Sequence, residues 1–352
     1  MRRYTSLLLT AFILLIVVLA GSAYLAGAGQ ENVEQPQHTI RVYTTLPAET
    51  ASILADGYAS NHDTHIDFVS LSSDEIIRHL QEQVKSGKDD GEAAMILADS
   101  RTLERAAALG YLVPYISEAG DQVAPNFRQE SGYWVGVFYD PIVFCVNSDY
   151  LRMQSDMPDT WTALAKRSKA RIGITDFLAA DASANLFCSM VAQFGDAATY
   201  DIWRDLHPRV VQYARYLSNP VRQAGMGEVD IAIAVESEAL RYIHDGYPLR
   251  IVYPADGTAA IITGTGIAYR AKPSDKEQAQ QFADWLLTDE AQLVLQVKDQ
   301  FLVPTNPATM AYMSFAGKNI VLFDQPEAVN FSQQQRHDLL DRWVKEIRFQ
   351  ST

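Results

Sequence analysis

The chain has 352 residues, 48% hydrophobic and 20% charged, which describes a globular protein of two lobes or domains and not a disordered chain. Its formal net charge is −14, from 43 acidic and 29 basic side chains. That balance excludes nucleic acid as a partner, because neutralising phosphates needs clustered Lys and Arg, and no basic stripe with interleaved aromatics occurs.

Arg2 and Arg3 precede a continuous apolar run from Leu7 to Ala28. The pattern predicts a secretory signal over residues 1–30, with Ala26-Gly27-Ala28 as a small-residue cleavage site. The run is also long enough to span a bilayer as an uncleaved anchor. No Cys follows it, so a lipid-anchored form is unsupported. Residues 1–30 hold two Arg and no acid, leaving −16 on the remainder, and an acidic exported protein of this size suits the periplasm. Residues 31–37 read as a polar linker containing Pro36.

From His38 the chain reads β-α-β-α-β. Ile40–Thr44 is a strand, and Pro47 suits the first turn of the helix that follows. Ile66 and Phe68 alternate in a second strand ending at Leu71. Ser72 and Glu75 have capping-box spacing before Ile76, Ile77, Leu80 and Val84. Ala94–Ala98 is a third strand, followed by a helix over Thr102–Leu109. This is the order of a doubly wound sheet. Each strand-end loop, Thr44-Thr45, Ser72-Ser73 and Asp99-Ser100, carries small hydrogen-bonding side chains, the place where open α/β sheets hold ligands.

Gly132–Phe138 and Ile142–Val146 read as two strands joined at Asp140-Pro141 and leading into a second lobe. There Thr160 caps a short helix and Ile172–Ile174 is a strand. Asp181–Asn185 precedes a helix burying Phe187, Met190, Val191 and Phe194 and stopping at Gly195. A helix around Trp203, the strand Val210–Tyr213 and a capped start at Ser218-Asn219-Pro220 follow. Val229, Ile231, Ile233 and Val235 alternate as a strand with one apolar face. Glu236, Ser237 and Glu238 come next, then a helical run to His244. Leu249–Tyr253 is a further strand, closed by a polar turn with Asp256 and Thr258. Two helices end the chain, each with capping-box spacing, Ser274 to Glu277 and Ser332 to Gln335. The lobes are thus expected over 38–135, completed by about 260–310, and over 136–259, completed by 311–352.

Catalytic patterns fail one after another. No Ser lies in G-x-S-x-G. Gly225-Met226-Gly227 and Gly264-Thr265-Gly266 lack the later glycine of a dinucleotide fingerprint, and Ser86-Gly87-Lys88 lacks the upstream glycine of a P-loop. His62, Asp63 and His65 lie in a loop expected to be solvent-exposed, without the convergence a zinc site needs. Glu236 and Glu238 invite comparison with a glycosidase acid/base pair, but acids at a helix N-terminus also answer its dipole. Cys145 and Cys188 either pair in an oxidising compartment or are two buried small side chains. No enzyme activity, cofactor or metal is expected.

Taken together, VYTTLPAE, FVSLSSDEIIRHL, ADSRTLERAAALGYLVPY, SGYWVG, LHPRVVQY, GEVDIAIAVESEAL, GYPLRIVYPADGT and the FADWLLTDEAQ-to-VPTNP end resemble the extracytoplasmic solute-binding proteins of bacterial ABC importers. Within them the chain is similar to the branch of ferric-iron, hexose-phosphate, phosphoglycerate and aminoethylphosphonate binders. The resemblance implies an α/β, two-lobe periplasmic-binding-protein fold (the type 2 flytrap), each lobe a doubly wound mixed sheet flanked by helices. It implies a monomer that closes on a small-molecule solute and is read by an ABC permease or, in a membrane-tethered form, by a sensor kinase. Iron binders place two adjacent tyrosines where Ser237-Glu238 stand here, so ferric iron is not expected. A sugar phosphate, phosphoglycerate or phosphonate is favoured. The ligand-binding candidates are Thr44, Thr45, Ser72, Ser73, Asp99, Ser100, Trp134, Ser183, Asn185, Glu236, Ser237, Glu238, Asp256 and Thr258. Ser72, Ser73 and Ser183 are the expected phosphate contacts at helix N-termini.

Overall fold

A computed structural model describes residues 38–153, 157–315, 318–323 and 331–349. The chain divides into two compact units, residues 1–39 and 40–352, and only His38 and Thr39 of the first are described. The expected signal or anchor (1–30) and linker (31–37) therefore lie outside the described residues. Among those described, no helix is long and apolar enough to cross a membrane.

The expected opening is found. β1 (His38–Thr44), α1 (Ala48–Ala59), β2 (Thr64–Ser70), α2 (Ser73–Lys85), β3 (Met95–Asp99) and α3 (Ser100–Ala108) alternate, and β1 pairs in parallel with β3. Strand order is β2-β1-β3, so the chain reverses its direction of travel between β1 and β3. That switch point leaves a crevice beyond the ends of these two strands. The Ser72–Glu75 capping box forms, and Ile76, Ile77 and Leu80 are buried behind it.

The two strands expected around Asp140-Pro141 are one. β4 (Val135–Asn147) runs 13 residues without a break. Its residues up to Pro141 pair with β9 (Ala260–Ala268), and those from Ile142 pair with β7 (Ile231–Val235) and β8 (Leu249–Val252). The missing N–H of Pro141 thus falls where β4 changes neighbours, a position at which a strand tolerates it. β9 also pairs antiparallel with β3, and β10 (Val303–Pro304) adds to the far side of β4. The second sheet adds β5 (Ile172–Thr175) and β6 (Val210–Ala214), in the order β6-β5-β7-β4-β8, with β5 parallel to both its neighbours. The architecture is α/β with mixed sheets, helices on both faces and β4 shared between the two halves.

One core gathers Val42, Ile96, Leu103, Phe138, Ile262 and Phe282 around the first sheet. A second gathers Phe144, Trp161, Ile174, Phe187, Trp203 and Trp343 on one face of the second sheet, and a third lies on its opposite face with Val143, Cys145, Val229 and Leu249. β7 was expected to have one apolar face, but all five of its residues are buried. Ile231, Ile233 and Val235 point into the second core, while Ala232 and Ala234 point into the third, under α7 (Ser218–Gly225) and α8 (Glu236–His244). Small alanines let helices cover that second face as well.

Three helix starts differ from expectation. α5 (Asp181–Phe194) already contains Asp181–Asn185, so Ser183 is buried in its first turn and does not precede it; α5 is followed by α6 (Asp196–Leu206). α7 is preceded by Leu217, which offers no side-chain cap. α9 (Pro273–Leu286) starts at the proline, so Ser274 lies inside it and donates to Asp275 instead of capping. Pro at the first helical position needs no donor, and the helix starts two residues upstream of where the box spacing would begin it. The last box holds: Ser332 and Gln335 cap α12 (Gln333–Trp343) reciprocally.

Candidate functional site

Beyond the ends of β1 and β3 lies a cavity of about 310 Å³. From the first half it is lined by Thr45, Leu71, Ser72, Ser73, Asp99, Ser100 and Arg101. The second half contributes Asp181 and Ala182 in the first turn of α5, Asn185 just beyond it, and Arg336 in the first turn of α12. Ala260, Ile261 and Ile262, on the strand that returns between the halves, supply an apolar wall.

A small hydrogen-bond network sets the first-half side of this cavity. Thr45 Oγ1 accepts from the Asp99 N–H at 3.2 Å, tying the end of β1 to the end of β3. Asp99 caps α3, accepting the Thr102 N–H at 3.0 Å and the Thr102 hydroxyl at 2.7 Å. The Ser73 hydroxyl lies 3.3 Å from the same carboxylate and 2.8 Å from the Thr102 hydroxyl, completing the network. The Asp99 carboxylate is therefore satisfied by its own loop and by Ser73 at the start of α2. Across the cavity α5 is preceded by Ala180 and has no side-chain cap, so its first N–H groups and the positive end of its dipole are open to a guest.

Arg336 is the dominant charge. It is 6% exposed, its Nη1 has no hydrogen-bond partner, and neither it nor Arg101 forms an ion pair among the described residues. Burial, and after it the nearby Arg101 charge, lowers the Arg336 pKa from its ordinary value, with Cys188, Asp181 and Asp99 opposing. A guanidinium does not deprotonate in proteins, so the shift measures the cost of holding a cation dry. An anionic guest removes that cost. The arrangement can therefore bind an anion between helix N-termini and two guanidinium groups, with Ser, Thr and Asn groups beside it for hydroxyls.

Of the residues proposed from sequence, Thr45, Ser72, Ser73, Asp99, Ser100 and Asn185 meet in this cavity. The others are placed elsewhere. Thr44 is buried and donates to the Leu97 carbonyl. Trp134 donates from Nε1 to Glu104 at 2.8 Å and lines a separate crevice of about 20 Å³, room for roughly one water. Asp256 accepts the Trp161 N–H with both oxygens, at 3.1 and 3.2 Å, and Thr258 donates to the Ile142 carbonyl at 2.7 Å. Both hold the polar turn in place.

The run Glu236-Ser237-Glu238 forms the first turn of α8, where each side chain is already engaged. Glu236 is fully buried and accepts from the Tyr253 hydroxyl and from Lys318 Nζ at 3.0 Å. Ser237 donates to Asp140, and Glu238 pairs with Arg241 on the same helix. The two glutamates do not share a reaction site. His62 stacks on Tyr58, and among the described residues no cluster of three His, Cys, Asp or Glu could hold a metal.

Sequence reasoning missed Arg101, Asp181 and Arg336. Arg101 directly follows two nominated residues and was within reach of the strand-end rule. Nothing local marks Arg336, which stands one residue beyond a capping box and reaches the cavity only through tertiary packing.

A family model described as bacterial extracellular solute-binding protein matches residues 54–313. An uncharacterised protein of Haemophilus influenzae is 28% identical over 253 residues, covering 69% of this chain and 72% of that one. The fold is similar to the periplasmic binding protein AfuA of Actinobacillus pleuropneumoniae with fructose-6-phosphate bound, at 21% identity and a TM-score of 0.67, covering 89% of this chain and 100% of that one. It is also similar to iron-bound HitA of Pseudomonas aeruginosa, at 18% identity and a TM-score of 0.68, covering 86% and 98%.

Proposed function

From the premise that this chain belongs to the family of bacterial extracellular solute-binding proteins, we propose that it is a receptor for a small, polar, phosphorylated organic solute. Membership implies a periplasmic location, a small-molecule solute and an ABC transporter as partner. The phosphorylated solute is our own reading. The observation that carries it is Arg336, a nearly fully buried guanidinium whose Nη1 has no partner among the described residues, lining a cavity that also holds Arg101 and the open N-terminus of α5. A phosphate fits this set of donors, and the hydroxyl and amide groups of Thr45, Ser73, Ser100 and Asn185 suit a hydroxylated body.

On this reading the lobes are residues 38–135 with 260–310 and residues 136–259 with 311–352. They close by bending about β4 and β9, and the importer reads the closed form. The solute is not ferric iron: Ser237-Glu238 take the place of the adjacent tyrosines of the iron binders, and both are bonded within the protein. The apolar run of residues 7–28 favours a second reading, in which the receptor stays tethered and a sensor kinase also reads its closed form.

Isothermal titration of the purified protein against sugar phosphates, phosphoglycerates, phosphonates and polyamines tests the proposal. Heat with one of the first three classes is expected; heat with polyamines alone overturns it.

A further inference from the structure

The two guanidinium groups of the cavity come from opposite sides of it. Arg101 stands in the first turn of α3, directly after β3 of the first sheet. Arg336 stands on α12, whose Trp343 packs in the core of the second sheet. Both line the one cavity, and each is close enough to the other to be felt electrostatically. Asp99 accepts from Thr102 and Ser73, and Asp181 is exposed to water; both carboxylates attract Arg336, but among the described residues neither forms an ion pair with either arginine. Closing a cleft brings such groups nearer and removes the water between them, which raises the cost of like charges steeply.

We propose that Arg101 and Arg336 form an anion-dependent closing switch. Their repulsion opposes approach of the two halves until a phosphate-like group enters between them and accepts from both. The inference rests on the reading of the cavity as an anion site and adds the trigger. The anionic end of the solute, and not its hydroxylated body, permits closure. A neutral analogue of the same shape then occupies the site without closing it, and the partner is spared an unproductive docking.

The test is small-angle scattering of the purified protein with and without inorganic phosphate, paired with titration calorimetry. Phosphate is expected to lower the radius of gyration of the wild type. R101Q, at a partly exposed position, is expected to be more compact than the wild type without phosphate and to respond little when it is added. R336M is expected to do the same, and R336K, which keeps the charge, to remain open until phosphate is added. Phosphate heat without compaction of the wild type overturns the switch and leaves the receptor reading intact. R101Q matching the wild type in both conditions does the same. Absence of any anion heat in the wild type overturns both.

Discussion

The Ser237 hydroxyl donates to Asp140 Oδ2 at 2.5 Å, and the Ser237 N–H donates to Oδ1 of the same carboxylate at 2.9 Å. The first turn of α8 is thereby tied to the middle of β4, one residue from where that strand passes between the two sheets. Burial pushes the Asp140 pKa up to about 7, against the pull of the Ser237 bonds and with a smaller push from Glu236. An acid raised above its unfolded value keeps its proton in the folded protein where the unfolded chain has released it. Its contribution to stability is therefore complete below about pH 4, declines from there and is lost as the pH rises through about 7. The decline is at most about 1.4 kcal/mol per pH unit. Urea unfolding of wild type and Asp140→Asn across this range is expected to show wild type losing ground to the variant between pH 5 and 7. A constant difference over that window would contradict the assignment.

Arg336→Met is expected to act in opposite directions on binding and on stability. Losing a charge-assisted hydrogen bond of about 1.5–3 kcal/mol weakens binding of a phosphorylated solute roughly 10- to 150-fold. Removing a buried, unpaired donor stabilises the ligand-free protein by about 1–3 kcal/mol. Calorimetric titration and ligand-free thermal unfolding measure the two effects separately. Loss of both affinity and stability would make Arg336 a packing residue instead.

Much of the fold was legible because its signals are local. The alternation of strands and helices, the Ser72 and Ser332 boxes and the Gly195 stop each lie within a few residues of what they control. The errors arose where a distant partner decides. β4 reads as two strands because Asp140-Pro141 is a turn signal, and only the change of neighbours from β9 to β7 lets the strand continue. The site follows the same division. Strand-end loops of the first half were found by rule, since a switch point is a property of strand order. Ser237, Asp256 and Thr258 also sit at strand ends, yet Asp140, Trp161 and Ile142 occupy them, and no pattern in the sequence announces those partners; Glu238 is taken by Arg241 three residues on, a spacing that the sequence does carry.

Cys145 and Cys188 are both buried and free. Burial pushes the Cys145 thiol up to about 12, and burial likewise raises that of Cys188. Of the two expectations, the pair of buried small side chains is the one found. A thiol reagent is expected to find no reactive cysteine in the native protein and both after denaturation. Adding a reductant should leave the unfolding midpoint where it was; a drop worth about 2–4 kcal/mol would reveal a disulfide.

Lys318 ties the C-terminal part of the chain to the buried Glu236. Its Nζ donates to Glu236 at 3.0 Å and lies 4.1 Å from the Phe315 ring centroid. Glu236 is fully buried; among the described residues its one other bond is accepted from the Tyr253 hydroxyl at the same Oε1, and Oε2 has no partner. Beyond Lys318 the chain runs beside Thr258, with Phe323 N–H donating to the Thr258 carbonyl and Thr258 N–H donating to Val321. The ion pair therefore helps hold residues 318–323 against the second half. Lys318→Met leaves a buried carboxylate uncompensated, which costs about 3–5 kcal/mol. Lys318→Met with Glu236→Gln removes both charges and is expected to recover most of that loss, so the double-mutant cycle gives a large coupling. A loss below about 1 kcal/mol for the single variant, the scale of an exposed pair, would show the contact to be incidental. Because the same stretch leads to Arg336, the single variant is also expected to weaken phosphate binding, and the double variant to restore it in part.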